Sequence, residues 1–318
     1  MTQAGFGDAR SGRTVYMGKG CALLLILELS LAASGCSMRN YAVRSVGDAL
    51  AASGSGFGSD DDPELIRAAA PFSLKLMETV LSEIPGHAGL LTATSSGFTQ
   101  YAYAFVQQDA DESEARDVAA ARAFRNRARG LYYRARDYGL RALDAKHPGF
   151  QAQLGTSANP ALARLSRDDA TPLYWATVAW AAAIALSKDS PKAIADLRLV
   201  DLMIERLREL DPDIDHGALD AFLISYEMGR PGARDPQTRA RYHFERAIRL
   251  SADQKAGPYV AFAEAVCIAT QDKREFVALL ERAIAIDPST RPEWRLENTI
   301  MQRRARWLLA QIDQLFLE

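Results

Sequence analysis

Two seven-residue blocks constrain this chain more than anything else in it. Phe244-Glu-Arg-Ala-Ile-Arg-Leu250 and Leu280-Glu-Arg-Ala-Ile-Ala-Ile286 align at an offset of 36 residues. A unit of that length, once repeated, is a supersecondary element that cannot bury its own apolar face and must stack on its neighbours. Apolar spacing identifies the element. From Arg274 to Ile286, Phe276, Leu279, Leu280, Ala283 and Ile284 fall at i, i+3, i+4, i+7 and i+8, one face of a helix. Ile194, Leu197, Val200, Ile204 and Leu207 make a similar stripe over 191–210. Past residue 36 no alternating strand of useful length occurs, so the expected fold class is all-α.

The repeated core has further echoes. Arg141-Ala142-Leu143 shares it, and Leu207-Arg-Glu-Leu-Asp-Pro212 resembles Ala283-Ile-Ala-Ile-Asp-Pro288. In both of the latter the Asp-Pro pair closes a helix, because proline blocks its continuation. Positions 142, 207, 247 and 283 are separated by 65, 40 and 36 residues. This resembles the tetratricopeptide repeat, a pair of antiparallel helices of about 34 residues. Ala283 and Pro288 have that family's five-residue gap. Ala247 lacks the proline, position 207 carries Leu, and the Trp-Leu-Gly-Tyr signature of the first helix is absent. The expected architecture is a tetratricopeptide-like superhelix of helical hairpins, degenerate and with insertions. One more hairpin, built from 160–187 and 191–210, fills the longest gap.

Composition excludes several functions. The 318 residues carry 38 Lys+Arg against 40 Asp+Glu, a formal net charge of −2, so no basic field invites nucleic acid. Cys21, Cys36 and Cys267 are far apart, and so are His87, His147, His216 and His243, which leaves no spacing for zinc or a disulfide scaffold. No metal or cofactor is expected. There is no G-x-S-x-G elbow, P-loop or dinucleotide fingerprint. Gly54-Ser-Gly-Phe-Gly58 lacks a following Lys and reads as a flexible link. Glu78 and Glu83 are the nearest thing to a catalytic acid pair, and both read as surface residues flanking Leu81. The chain is therefore not expected to be an enzyme.

The first 35 residues read as an address. Arg13 and Lys19 precede an apolar run of about a dozen residues, too short for the ~20 that span a bilayer. Ala33-Ser-Gly-Cys36 follows and resembles a bacterial lipobox, which would make Cys36 the acylated amino terminus. Ala33 stands where Leu is usual, Glu28 interrupts the run, and an uncleaved anchor or plain secretory signal is the alternative. Met17 is an alternative start. The expected organisation is a signal peptide over 1–35 and one all-helical domain over 36–318. Several acyl groups would anchor it firmly. Ser37 favours the outer membrane by analogy with enteric sorting. Cys267, in an apolar stretch, is expected to be a small buried hydrophobe.

Asp60-Asp-Asp-Pro-Glu64 is a helix start, with Pro71 kinking or ending that helix early. Calcium is the weaker alternative, because the Gly and Glu of an EF-hand loop are missing. Ala170–Ser187 carries no charge and reads as a helix buried on all sides in preference to a transmembrane one. Gly86–Gln108, also free of Asp, Glu, Lys and Arg, reads as a buried helix pair. The aromatic residues Tyr101, Tyr103, Phe105, Tyr174, Trp175, Trp180 and Tyr226 either pack the core or line a cavity left inside the stack.

A second resemblance covers nearly all of 36–318. The block Asp60-Asp-Asp-Pro-Glu-Leu-Ile-Arg-Ala-Ala-Ala-Pro-Phe-Ser-Leu-Lys-Leu-Met-Glu78 is similar to one found shortly after the lipobox in the T components of tripartite ATP-independent periplasmic (TRAP) transporters. Phe98-x-x-Tyr-Ala-Tyr-Ala-Phe-Val106 with Asp109-Ala-Asp111, and His216-Gly-Ala-Leu219 with Pro231, are similar too. The chain departs at Asp220, where that family's pattern has His. The resemblance implies a lipoprotein on the periplasmic face of a bacterial membrane. It implies tetratricopeptide-like units, self-association into a trimer-like ring, and docking of the periplasmic solute-binding (P) component. It also implies a channel that passes an apolar ligand, for which the seven aromatic residues above are the candidate lining. The alternative function is a generic tetratricopeptide lipoprotein that scaffolds envelope machinery without a ligand.

Overall fold

Asp62 caps the first long helix, as the acidic block predicts. Its Oδ1 accepts from the amides of Glu64 and Leu65 at 3.0 Å, and Pro63 occupies the first turn. The computed structural model describes residues 1–2, 38–39, 41–52 and 57–317. The signal segment, Cys36 and Gly54–Gly56 lie outside the described residues. Among the described residues every regular element is a helix and none is a strand. Packing divides the chain into Met1–Ser45 and Val46–Glu318. In the first unit 41–45 are helical; the second holds the core.

Helix α1 (Pro63–Glu83) does not stop at Pro71. Ile66, Ala70, Leu74, Met77 and Leu81 are buried on both sides of the proline, so burial of one continuous face outweighs the single lost N–H. Nor is Glu78 a surface residue. It pairs with Lys75 at 2.7 Å and Arg134 at 2.5 Å, and accepts from the Tyr138 hydroxyl at 2.8 Å. Burial opposes its charge, but those partners hold its pKa below the usual glutamate value. Glu83 is exposed, as expected.

The 86–108 window forms one rod and not a pair. Helix Ala88–Tyr101 runs through a π-helical segment, Ala102–Gln107, into Gln108–Ser113; together these are α2. Ser95-Ser96-Gly97 does not break the rod. It lets neighbours close in: Ser95 Oγ donates to the Ala135 carbonyl at 2.8 Å, and a Cβ on Gly97 would meet Leu74 Cδ2 at 2.8 Å.

The remaining long helices are α3 (Val118–Lys146), α4 (Ala170–Ala185), α5 (Leu197–Leu210), α6 (Ile214–Gly229) and α7 (Pro236–Leu250). After them come α8 (Gly257–Phe262 with a π-helical Ala263–Cys267 and Ile268–Thr270), α9 (Lys273–Ile284) and α10 (Arg295–Ala310). Successive helices pack as α2 on α3, α4 on α5, α6 on α7, and α8 on α9, with α10 against α9. The α4–α5 pair is the hairpin expected in the longest gap. The four core positions read from the repeats, Ala142, Leu207, Ala247 and Ala283, are all buried. One apolar core is built from α3 to α6, and another joins α6 and α7, through Ile224, Ala240 and Phe244, to α8–α10. Helix α4 fills the uncharged window; Leu173, Ala176, Ala179 and Ala183 are fully buried on it. No described helix is long and apolar enough to cross a membrane. Cys267 is buried, and burial pushes its thiol up to about 12.

Candidate functional site

Helices α4 and α6 each turn one face away from the packed core. Along α6, Ala218, Ala221, Phe222, Ser225, Tyr226 and Gly229 recur at helical spacing and line a cavity of about 1340 Å³. Along α4, Thr171, Tyr174, Trp175, Val178, Ala182 and Ala185 do the same. The Tyr174 hydroxyl donates to the Ala218 carbonyl at 3.4 Å, which fixes the two helices side by side at one end. At 1.5 Å per residue, the wall from Ala218 to Arg230 runs about 18 Å. Residues of α1, α2, α8 and α10 complete it.

The wall begins at a backbone feature that explains the His-Gly-Ala-Leu block. Asp215, His216 and Gly217 have φ of 43°, 55° and 91°, three left-handed residues in a row at the start of α6. For the first two this costs roughly 1–2 kcal/mol each. Gly217 is required twice over, by its φ and because a Cβ there would sit 3.1 Å from Leu250 Cβ and 3.2 Å from Ala247 Cα. The small repeat residue Ala247 is thus the seat on which the turn closes. The turn aims Asp215 and His216 at the cavity. His216 meets Trp294 edge-on at 5.2 Å.

Lys255 is buried at this end, its Nζ 4.9 Å from the Trp294 ring centroid and 3.5 Å from both Asp215 Oδ2 and Glu297 Oε2. Burial opposes the ammonium, yet the two carboxylates hold its pKa above the usual lysine value. The carboxylates also reach into the cavity. Burial raises the Tyr174 phenol first, and Asp215 and Glu297 raise it further.

Six of the seven aromatic residues singled out in the sequence line this cavity: Tyr101, Tyr103, Phe105, Tyr174, Trp175 and Tyr226. Trp180 does not; it is buried elsewhere, with the Arg136 guanidinium 5.0 Å from its ring centroid. Tyr103 is 44% exposed and Phe105 is buried beneath Arg67, both on the π-helical segment of α2. Tyr174 packs edge-on against Trp175 at 5.0 Å, and the Tyr226 hydroxyl donates to Asp201 Oδ1 at 2.8 Å. Sequence reading missed Lys255, Trp294, Phe222 and Arg230. Phe222 and Arg230 left a signal, four residues before and after Tyr226. Among the described residues no group of three or more His, Cys, Asp or Glu is arranged to hold a metal ion.

Asp220, the position that departs from the His of the resembled pattern, is buried beside the cavity wall. It accepts from His243 Nδ1 at 2.8 Å and Arg246 Nε at 2.9 Å.

The family described as TRAP transporter T-component matches residues 59–316. A protein of Treponema pallidum (strain Nichols), described as uncharacterized, is 30% identical over 312 residues, spanning 91% of this chain and 95% of its own.

Proposed function

The chain belongs to the TRAP transporter T-component family, and from that premise we propose that it docks the periplasmic solute-binding (P) subunit and passes an apolar ligand through its internal cavity. As a member of that family it is a transport accessory. In this reading residues 1–35 are a signal peptide and Cys36 is acylated. Residues 36–318 form a tetratricopeptide-like superhelix held on the periplasmic face of a bacterial membrane, the outer one favoured by Ser37. Copies of the chain associate as a trimer-like ring, and the protein works by recognition without turnover.

The observation that carries this reading is the cavity. Two helices that could have spent their second faces on packing instead present Trp175, Val178, Phe222 and Tyr226 to an open volume of about 1340 Å³. That exceeds the roughly 300–1,000 Å³ of ordinary ligand pockets. A protein that only scaffolds its partners gains nothing from such a void. The test is calorimetry between the mature chain carrying Cys36→Ser and the P subunit encoded beside it. Binding at tens of micromolar or tighter is expected; no heat of binding at those concentrations contradicts the docking role.

A further inference from the structure

The charges that line the cavity are not distributed evenly along it. At the Ala218 end, where α4 also begins, stand Asp168, Asp215, Glu293 and Glu297 with two cations, Lys146 and the buried Lys255, so carboxylates outnumber cations there. About 18 Å away along α6, the lining charges are Lys188 and Arg230. Connectivity places these two at the same end. Lys188 follows α4 directly, Ile194 and Leu197 carry the wall into the first turn of α5, and Arg230 Nη1 donates to Asp201 of α5 at 3.1 Å.

The cationic end has capacity left over. Arg230 Nη2 reaches Glu227 Oε2 only at 3.5 Å, and its buried Nε has no hydrogen-bond partner. Glu227 already pairs with Arg239 at 2.6 Å. Lys188 is exposed and forms no ion pair among the described residues. A cation also complements the carbonyl ends of α4 and α6, which finish here. That need is met by one charge. Among the residues that line the cavity, this end carries Lys188 and Arg230 and no carboxylate. Between the two ends the wall is Trp175, Val178, Ala182, Phe222 and Tyr226.

We propose that this end receives the anionic head of a single-chain amphiphile, whose apolar tail lies along α4 and α6 toward Tyr174. Lys188 and Arg230 meet the head, and the acidic far end repels it, so the ligand enters in one orientation. This rests on the cavity being the ligand passage of the preceding section and names the class of ligand. Carboxylate and phosphate heads share the required charge.

Quenching of tryptophan emission, with Trp175 and Trp294 in the wall, measures affinity in the mature chain carrying Cys36→Ser. The probes are dodecanoate, dodecyl phosphate, dodecanol and dodecyltrimethylammonium. One or both anions are expected to bind at least about tenfold tighter than the alcohol and the cation, and the tighter of the two identifies the head. Lys188→Gln, at an exposed site, is expected to reduce that advantage, and Lys188→Gln/Arg230→Gln to abolish it, with dodecanol unchanged. The inference is overturned if the alcohol or the cation binds as tightly as the anions, if Lys188→Gln leaves the ratio unmoved, or if no amphiphile binds. A chain that docks the P subunit but shows any of these outcomes loses only this inference; one that binds the anions but not the P subunit loses only the docking role.

Discussion

Hairpins α6–α7 and α8–α9 carry the same repeat block, yet they are filled by different chemistry. Between α8 and α9 the filling is apolar: Phe262, Cys267, Phe276 and Leu280 are fully buried, and Phe276 meets Phe316 edge-on at 4.9 Å. Between α6 and α7 a buried polar network is added to apolar residues such as Leu223, Ala240 and Ala247. The His243 ring bridges two helices' charges, its Nε2 3.0 Å from Arg208 Nη2 and its Nδ1 2.8 Å from Asp220 Oδ1. Arg246 donates to the other Asp220 oxygen at 2.9 Å. The polar hairpin gives the cavity one whole face of α6, from Ala218 to Gly229, where α8 gives only Gly257, Pro258 and Ala261. Directional bonds hold α6 at a fixed angle, whereas α8 and α9 spend most of their buried surface on packing.

The contrast sets an order of effects. Phe276→Ala empties the apolar hairpin and is expected to cost about 3–5 kcal/mol in denaturant unfolding; a loss below 1 kcal/mol would erase the difference between the hairpins. Asp220→Ala leaves Arg246 and His243 facing a void and is expected to cost about 3 kcal/mol. Asp220→Asn keeps the shape and one acceptor oxygen but sets its NH2 against the second donor, and should still cost less than the alanine variant. Equal losses for the two variants would mean that the hydrogen-bonded charge, and not shape, holds the network. Gly217→Ala forces a Cβ against Ala247 and Leu250 at a left-handed residue, for about 2 kcal/mol. Ligand affinity should fall with it, because the turn shapes the cavity's acidic end. Asp62→Ala, far from both hairpins, removes only a cap and should cost about 1 kcal/mol. Last, the Cys267 thiol, pushed up to about 12, stays protonated near neutral pH. Native alkylation of its peptide, followed by mass spectrometry, should be negligible until the protein unfolds; prompt labelling would show that the apolar hairpin opens locally.

Helix class, the repeat cores and the Asp62 cap were legible because each depends on local spacing. The same holds for most of the aromatic lining: Tyr174 and Trp175 lie on an uncharged helix that had to be buried, and Tyr226 follows the α6 period. Trp180 shares that helix but points to the other side, a distinction of rotation that composition does not carry. An end of the helix at Pro71 was expected because a local cost was weighed without the long apolar face that outweighs it. Lys255 was invisible, since it sits beside the cavity only through contacts with elements about 40 residues away in sequence; Arg230, at the end of α6 and four residues after Tyr226, was overlooked. Asp220 registered only as a departure from a pattern. Its partners, His243 and Arg246, are 23 and 26 residues away.

Native mass spectrometry of the protein extracted from its own bacterium tests the hollow, ligand-carrying stack most directly. An acylated Cys36, several subunits per particle and a co-purifying amphiphile, lost on delipidation and regained on adding it back, are the expected result. A ligand-free chain that regains nothing from its own lipid extract would contradict it.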